Sequence, residues 1–152
     1  MISTLLLLVT TLPGNWVLPL EFDMTYAFSD RSKDRMVGVD QRLIAVANLA
    51  LQISPIDFGI PQHGGLRTAE EQRELWERKL SQLDGHKHKS YHQSGKALDF
   101  YAYVNGRASW DQKHMAIVAA SFLQAGCALG YKLQWGGLWK NYKDFPHVQL
   151  VE

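Results

Sequence analysis

Four side chains in the second half of the sequence have types and spacing that could do chemistry together. His92 closes a polar loop, Asp99 follows it on a predicted strand, and His147 begins the last predicted strand. Two imidazoles and one carboxylate are ligands typical of a catalytic Zn²⁺ ion that keeps one position open for water. Such an ion lowers the pKa of its water to about 7 and polarises a carbonyl group. Asp144, just before His147, is placed to take up and return protons without being a ligand.

Spacing alone leaves a second interpretation open. A histidine and an aspartate seven positions apart are common by chance, so His92 could be an exposed loop residue, Asp99 a turn cap and Asp144 a solvated carboxylate. The single cysteine, Cys127, excludes an internal disulfide and a zinc cluster of several cysteines. Its apolar helical surroundings predict a buried structural thiol rather than a nucleophile.

The elements that must position these residues are short. Helix caps predict three helices, and apolar runs predict four strands. Their order lacks a regular βαβ alternation, which favours an α+β fold with helices packed on a small, mostly antiparallel sheet. The Asn105-Gly106 pair predicts a hairpin turn after the second strand. The predicted helices run from Asp40 to Ile53, from Thr68 to about Leu80 and from Ser109 to Leu129, and the predicted strands cover 56–60, 97–104, 131–135 and 147–151.

Length and composition are those of one globular domain with an unusual beginning. The chain has 152 residues, 46% of them hydrophobic and 20% charged, with a net charge of +1. These values exclude a disordered chain and argue against a nucleic-acid binder, which needs a clear basic excess. Residues 1–22 form an apolar N-terminal segment, with no charge before Glu21. Two interpretations stay open for it, a segment packed on the domain and a weakly membrane-associated one.

Ordered motifs surround the four residues over most of the chain. Ser90-x-His92-x-x-Gly95-x-Ala97-x-Asp99 is followed by Asp144-x-Pro146-His147, with Trp135-Gly136-Gly137-x-Trp139 between them. Upstream lie Phe28-Ser29-Asp30-Arg31-Ser32, Val37-Gly38-Val39, and Asp57-Phe58-Gly59-Ile60 leading to Gly65-Leu66-Arg67-Thr68-Ala69-Glu70-Glu71-Gln72. From about Phe28 to Leu150 this pattern resembles the metallopeptidase family of D-alanyl-D-alanine carboxypeptidases and L-alanyl-D-glutamate peptidases. It is most similar to the phage endolysin branch, and this implies a hedgehog-like α+β fold.

The resemblance implies a role for individual residues. His92, Asp99 and His147 would bind Zn²⁺, and Asp144 would act as general base and acid. Arg67 would stabilise the negative charge on the scissile carbonyl, a task that suits a fixed guanidinium. Substrate contacts are expected at Gln72, Trp139 and Ser90, although a solvated Gln72 and a structural Trp139 stay open as alternatives. Trp135 is expected to pack in the core.

The function implied is hydrolysis of the L-alanyl-D-glutamate bond in peptidoglycan stem peptides by a zinc peptidase domain of residues 23–152. Such a protein would serve a bacteriophage or prophage at host lysis, as a monomer made in the bacterial cytoplasm and acting on the cell wall in the periplasm or envelope. A D-alanyl-D-alanine carboxypeptidase and a non-catalytic, zinc-containing cell-wall-binding module are the alternatives. The presence of both Asp144 and Arg67 favours an enzyme.

Overall fold

The computed structural model describes residues 26–151, and the apolar segment 1–22 lies outside them. The described chain forms four α-helices and six short strands, which confirms the α+β fold class. The helices are α1 (Asp30–Arg35), α2 (Gln41–Ile53), α3 (Ala69–Glu77) and α4 (Gln112–Leu129), and two 3₁₀ turns cover Tyr91–Ser94 and Gly136–Leu138. The strands are β1 (Asp57–Gly59), β2 (Ala97–Asp99), β3 (Tyr101–Val104), β4 (Arg107–Ser109), β5 (Leu133–Trp135) and β6 (His147–Leu150).

Side-chain caps begin the helices, as the sequence predicts for α2 and α3. The Asp40 carboxylate accepts a hydrogen bond from the Arg42 amide at 2.9 Å, and Thr68 and Glu71 form the predicted capping box. The prediction for α4 is wrong by two residues, because its N-cap is Asp111 and not Ser109. Ser109 is still paired in β4, so the helix can begin only after that strand ends.

The strands form two antiparallel sheets of three strands rather than one, in the orders β1–β3–β4 and β2–β6–β5. The predicted strand over 97–104 is therefore wrong as a single element, because it divides at Phe100 between the two sheets. The Phe100 side chain is completely buried, and its ring stacks on Phe122 at 5.3 Å between centroids. Its amide donates to the Pro146 carbonyl at 3.0 Å. Core packing thus outweighs the continuation of one strand at this residue.

The core lies between the helices and the two sheets. Helix α2 packs against α4, and the side chains between them are fully buried. Burying each of the larger ones contributes about 1.5–3 kcal/mol to stability before the entropy of ordering is subtracted. The buried positions of α2 are Leu43, Val46, Ala47, Ala50 and Leu51, and the core positions of α4 include Met115, Val118, Ala119, Phe122 and Ala125.

The outward face of α4 contains the single cysteine. Cys127 is exposed, so the prediction of a buried thiol is wrong. Ala125 and Gly126 on the neighbouring positions face the core, and the helical rotation of 100° per residue carries Cys127 out of it. At 18 residues α4 is the longest helix of the described chain. Within residues 26–151, no helix combines the length and hydropathy that crossing a bilayer requires.

Candidate active site

A capped 3₁₀ turn holds His92. The Ser90 hydroxyl accepts the His92 amide at 3.3 Å, and the Gln93 side chain accepts the Ser90 amide at 2.9 Å. Gly95 ends the turn in the left-handed region at φ 70°, where a side chain would also stand 2.7 Å from the Gly38 carbonyl. The serine and glycine of the motif therefore build the turn that presents His92, which is 1% exposed.

Strand register brings the other two residues to the same place. Strands β2 and β6 are antiparallel, and Asp99 lies directly opposite His147. Directly opposite residues share one face of the sheet, with Cβ atoms about 5 Å apart. Because the turn with His92 leads straight into β2, all three side chains converge at the C-terminal end of β2.

The three converging atoms form a nearly equilateral triangle. His92 Nε2 lies 3.2 Å from Asp99 Oδ1 and 3.2 Å from His147 Nδ1. His147 Nδ1 in turn lies 3.2 Å from Asp99 Oδ1. Two ligands at about 2.0–2.1 Å from a tetrahedral Zn²⁺ ion stand about 3.4 Å apart. The triangle therefore has the size of three corners of a zinc coordination sphere.

The hydrogen bonds on the far side of each imidazole ring show which nitrogen carries the lone pair. His92 Nδ1 lies 2.8 Å from the Gly65 carbonyl, which can only accept, so Nδ1 carries the proton and Nε2 the lone pair. His147 Nε2 bonds to Gln149 Oε1 at 2.9 Å, which leaves the lone pair on Nδ1. Three acceptor atoms then face one another, an arrangement that repels unless a cation or a proton lies between them. This donor set fits Zn²⁺.

The charges around the triangle favour an ionised aspartate and a neutral His92. Burial disfavours the charged form of Asp99, but His92, His147 and Arg67 outweigh it and hold the pKa of Asp99 well below its usual value. Burial lowers the pKa of His92, which keeps the ring in its metal-binding form. Burial also opposes protonation of His147, but the hydrogen bond with Asp99 outweighs it and raises the His147 pKa. Protons and a metal ion would thus compete for His147.

Arg67 is held from three sides beside the triangle. Its Nη2 donates to the second oxygen of Asp99, which leaves Asp99 Oδ1 for the shared centre. Its Nε donates to the His63 carbonyl at 2.6 Å, and Nη1 donates to Gln72 Oε1 at 3.2 Å. His63, whose carbonyl accepts this bond, has a positive φ of 59°, a backbone conformation that residues other than glycine seldom adopt. Arg67 has five N–H groups in all, and it lines the cleft.

Gln72 lies beneath the cleft rather than in its lining. The side chain is fully buried, and its amide nitrogen donates to Ser81 Oγ at 2.7 Å and to the Leu83 carbonyl at 2.9 Å. These bonds use both N–H donors of the amide, and its oxygen accepts the bond from Arg67. In this structure the Gln72 side chain links Arg67 to the 81–83 segment, and a substrate contact at Gln72 stays a prediction.

Replacing Gln72 by leucine is expected to lower the free energy of unfolding by about 2–4 kcal/mol. The change keeps the volume but leaves a guanidinium N–H, the Ser81 hydroxyl and the Leu83 carbonyl without their partner. Urea denaturation measures the difference. Gln52→Leu, at an exposed position of α2, is the control and is expected to change stability by less than about 0.5 kcal/mol. Equal values for the two variants would contradict a structural role for Gln72.

Asp144 lines the cleft close to the triangle but belongs to a different turn. Its amide donates to the Gly136 carbonyl at 3.1 Å, and a side chain at Gly136 would stand 2.4 Å from the Asp144 carbonyl. The glycine of the Trp135-Gly136-Gly137 motif therefore allows this close approach. Burial, and next the charge of Asp99, raise the pKa of Asp144 to about 6. A carboxyl group with such a pKa can both accept and return a proton near neutral pH.

The walls of the cleft contain several aromatic side chains. The cleft has a volume of about 600 Å³, within the range of small-ligand sites. The Trp139 ring lies 5.1 Å from that of His147, and Ser90 also lines the cleft. Trp135 packs on Phe145 and donates from Nε1 to its carbonyl at 2.7 Å. Trp110 and Tyr142, for which the sequence motifs predict no role, line the cleft as well.

The fold and the site define a class of protein, a small α+β domain with a candidate metal centre in an open cleft. Within that class the chain belongs to the phage L-alanyl-D-glutamate peptidase family, whose model matches residues 24–150. It is 36% identical over 140 residues to the L-alanyl-D-glutamate peptidase of Escherichia phage T5, covering 84% of this chain and all of that protein.

Two further relatives come from bacteria. The structure of the L-Ala D-Glu endopeptidase ChiX from Serratia marcescens superimposes with a TM-score of 0.73 at 34% identity, covering 85% of this chain and 93% of that one. The peptidoglycan L-alanyl-D-glutamate endopeptidase CwlK of Bacillus subtilis is 31% identical over 68 residues, which cover 41% of this chain and 40% of that protein. These findings confirm the family predicted from the sequence motifs.

Proposed function

We propose that this protein is a zinc-dependent endopeptidase that hydrolyses the L-alanyl-D-glutamate bond in peptidoglycan stem peptides. The observation that carries the proposal is the triangle of His92 Nε2, Asp99 Oδ1 and His147 Nδ1, whose lone pairs face a common centre. The substrate follows from family membership and from the names of the phage and bacterial relatives. Asp144 and Arg67 in the same cleft add the groups that a peptidase needs beyond the metal ligands.

Each residue has a chemical task in this proposal. When bound by His92, Asp99 and His147, Zn²⁺ supplies a Lewis acid that polarises a carbonyl and acidifies water. Asp144 accepts the proton of the attacking water and delivers it to the D-glutamate nitrogen as the amide bond breaks. Arg67 donates an N–H to the L-alanine carbonyl oxygen as that oxygen gains negative charge. Ser90 and Trp139, on the cleft wall, contact the bound peptide.

Mass spectrometry of the fragments released from purified peptidoglycan tests the proposal. We expect fragments with a new N-terminal D-glutamate, loss of their release in excess chelator and recovery when Zn²⁺ is restored. Free D-alanine would identify a carboxypeptidase instead. A protein that binds peptidoglycan and releases nothing when loaded with zinc would be a non-catalytic module. Full activity in excess chelator would contradict the role of the metal.

The biological setting follows from the same relatives. One is a phage enzyme and two are bacterial enzymes whose names give the same peptide bond. We therefore place the action of this protein at the bacterial cell wall, in lysis by a phage or prophage. The monomeric state and a membrane contact by residues 1–22 stay predictions from the sequence.

A further inference from the structure

An aromatic row crosses the outer face of the β1–β3–β4 sheet and ends in the cleft. Gly59 pairs with Tyr101 in the register of β1 and β3. Ala102 pairs with Ser109 in β3 and β4, so Trp110 follows at the level of Tyr101. The rings of Tyr101 and Trp110 lie 5.9 Å apart, and Trp110 lines the cleft that contains the metal triangle.

Trp110 is exposed, and hydrogen bonds fix the residues on either side of it. The indole is 55% exposed, while Ser109 Oγ accepts the Asp111 amide at 3.3 Å and bonds to His114 Nδ1 at 2.8 Å. Asp111 caps α4 immediately afterwards. Tyr101 is supported from below, because its ring occupies the space that a side chain at Gly59 would need, at 2.6 Å from the hydroxyl. A large apolar ring that is exposed on a backbone fixed in this way is suited to pack against a ligand.

Charged side chains are unequally distributed among the segments that line the cleft. The segment after β1 contributes Pro61, Gln62 and His63 to the cleft, and the only charge beside the indole in sequence is the carboxylate of Asp111. Arg107, the cation of β4, alternates to the other face of its strand. The segments 75–83 and 139–144, which also contribute to the cleft, carry four exposed cations, Arg78, Lys79, Lys140 and Lys143, against the two acids Glu77 and Asp144.

The proposed substrate likewise has an anionic part and an uncharged part. The stem peptide beyond the cleaved bond carries carboxylates, starting with the α-carboxylate of D-glutamate. These suit the net positive charge of segments 75–83 and 139–144. The sugar that bears the L-alanine residue is uncharged, and its C–H face can pack on an aromatic ring while its hydroxyl groups stay in water. An exposed indole that is followed in the sequence by the carboxylate of Asp111 therefore fits the sugar better than the anionic peptide.

We propose that Trp110, supported by Tyr101, forms a subsite that packs against a saccharide ring of the peptidoglycan substrate. This inference rests on the proposed function, because it orients the substrate with its glycan towards the β1–β3–β4 sheet. Trp110 is a binding residue in this proposal and takes no part in breaking the bond.

Two substrates with the same stem peptide, one with the amino sugar and one without it, test the subsite. We expect the wild-type protein to have a higher kcat/KM on the sugar-bearing substrate, and Trp110→Ala to reduce the ratio of the two values about tenfold. Trp110→Tyr should keep most of the ratio. Trp76→Ala is the matched control, since Trp76 is 45% exposed on α3 and lies outside the cleft lining, and it should leave the ratio unchanged.

The results separate failure of the subsite from failure of the proposed function. A ratio of one in the wild type, or an equal loss on both substrates in Trp110→Ala, overturns the subsite while endopeptidase activity stands. If the wild type cleaves neither substrate, the proposed function fails. Binding of the uncharged tetramer of N-acetylglucosamine, monitored by NMR of the indole N–H signals, then tests the subsite by itself. Weaker binding by Trp110→Ala than by Trp76→Ala then supports the subsite, and no difference overturns it.

Discussion

Replacing His147 by alanine is expected to reduce bound zinc from about one ion per chain to near zero and to lower activity by about 10³-fold or more. The substitution removes one of the three atoms that meet at 3.2 Å. The two remaining ligands, His92 and Asp99, leave the coordination sphere half open. Metal analysis of the purified variant and peptidoglycan cleavage measure the two effects.

The control for this variant is another histidine without contact to the triangle. His86 is exposed on the polar loop after α3, and His86→Ala is expected to keep both zinc and activity. His147→Ala also leaves the Gln149 amide without its partner, so circular dichroism must establish that the variant is folded. Unchanged zinc content in folded His147→Ala would mean that the metal binds elsewhere.

Replacing Asp144 by asparagine is expected to keep the metal and lose turnover. Asparagine has the same shape and leaves the three ligand atoms untouched, but it cannot accept a proton from water. General acid–base groups contribute about 10²–10⁴-fold to rate, so kcat/KM should fall by this factor while zinc content stays near one per chain. Steady-state kinetics and metal analysis on the same preparation distinguish the two quantities.

Asp30→Asn is a matched control for the loss of a carboxylate. Asp30 lies in the first turn of α1, where it forms an exposed ion pair with Lys33, and such pairs contribute little to stability. We expect its activity to equal that of the wild type. If Asp144→Asn lost its zinc, Asp144 would be a ligand and the assignment of roles would be wrong.

Local chemistry made parts of the fold predictable. The caps at Asp40 and Thr68 begin their helices as expected, because a cap is made within a few residues of the chain. The Asn105-Gly106 turn also forms as predicted, with positive φ at both residues. The division at Phe100 was not predictable in this way, because it depends on which sheet each half joins. Cys127 illustrates the same limit, since an apolar helical sequence does not by itself tell which positions face the core.

The candidate site, too, was predictable only in part. The convergence of His92, Asp99 and His147, implied by the resemblance, is present in the structure because β2 and β6 pair in the required register. The bonds from Gly65 and Gln149 that orient the rings come from distant segments and left no signal in the spacing. Trp110 could have been found, because a two-residue turn at Asn105-Gly106 places Tyr101 opposite Trp110. Counting back along the hairpin would have revealed the aromatic pair.

The division of the chain at Phe100 has a consequence for the length of substrate that this protein can hold. Asp99 ends one strand at the metal triangle, and Tyr101, which belongs to the aromatic row, begins the next. The buried Phe100 ring between them packs against Phe58 and Phe122, and this packing fixes the positions of Asp99 and Tyr101 relative to each other. With a saccharide ring at Trp110 and the cleaved bond at the metal triangle, as proposed above, this fixed distance suits a stem in which only L-alanine separates the sugar from the cleaved bond. A stem with one more residue between them would reach only one of the two sites.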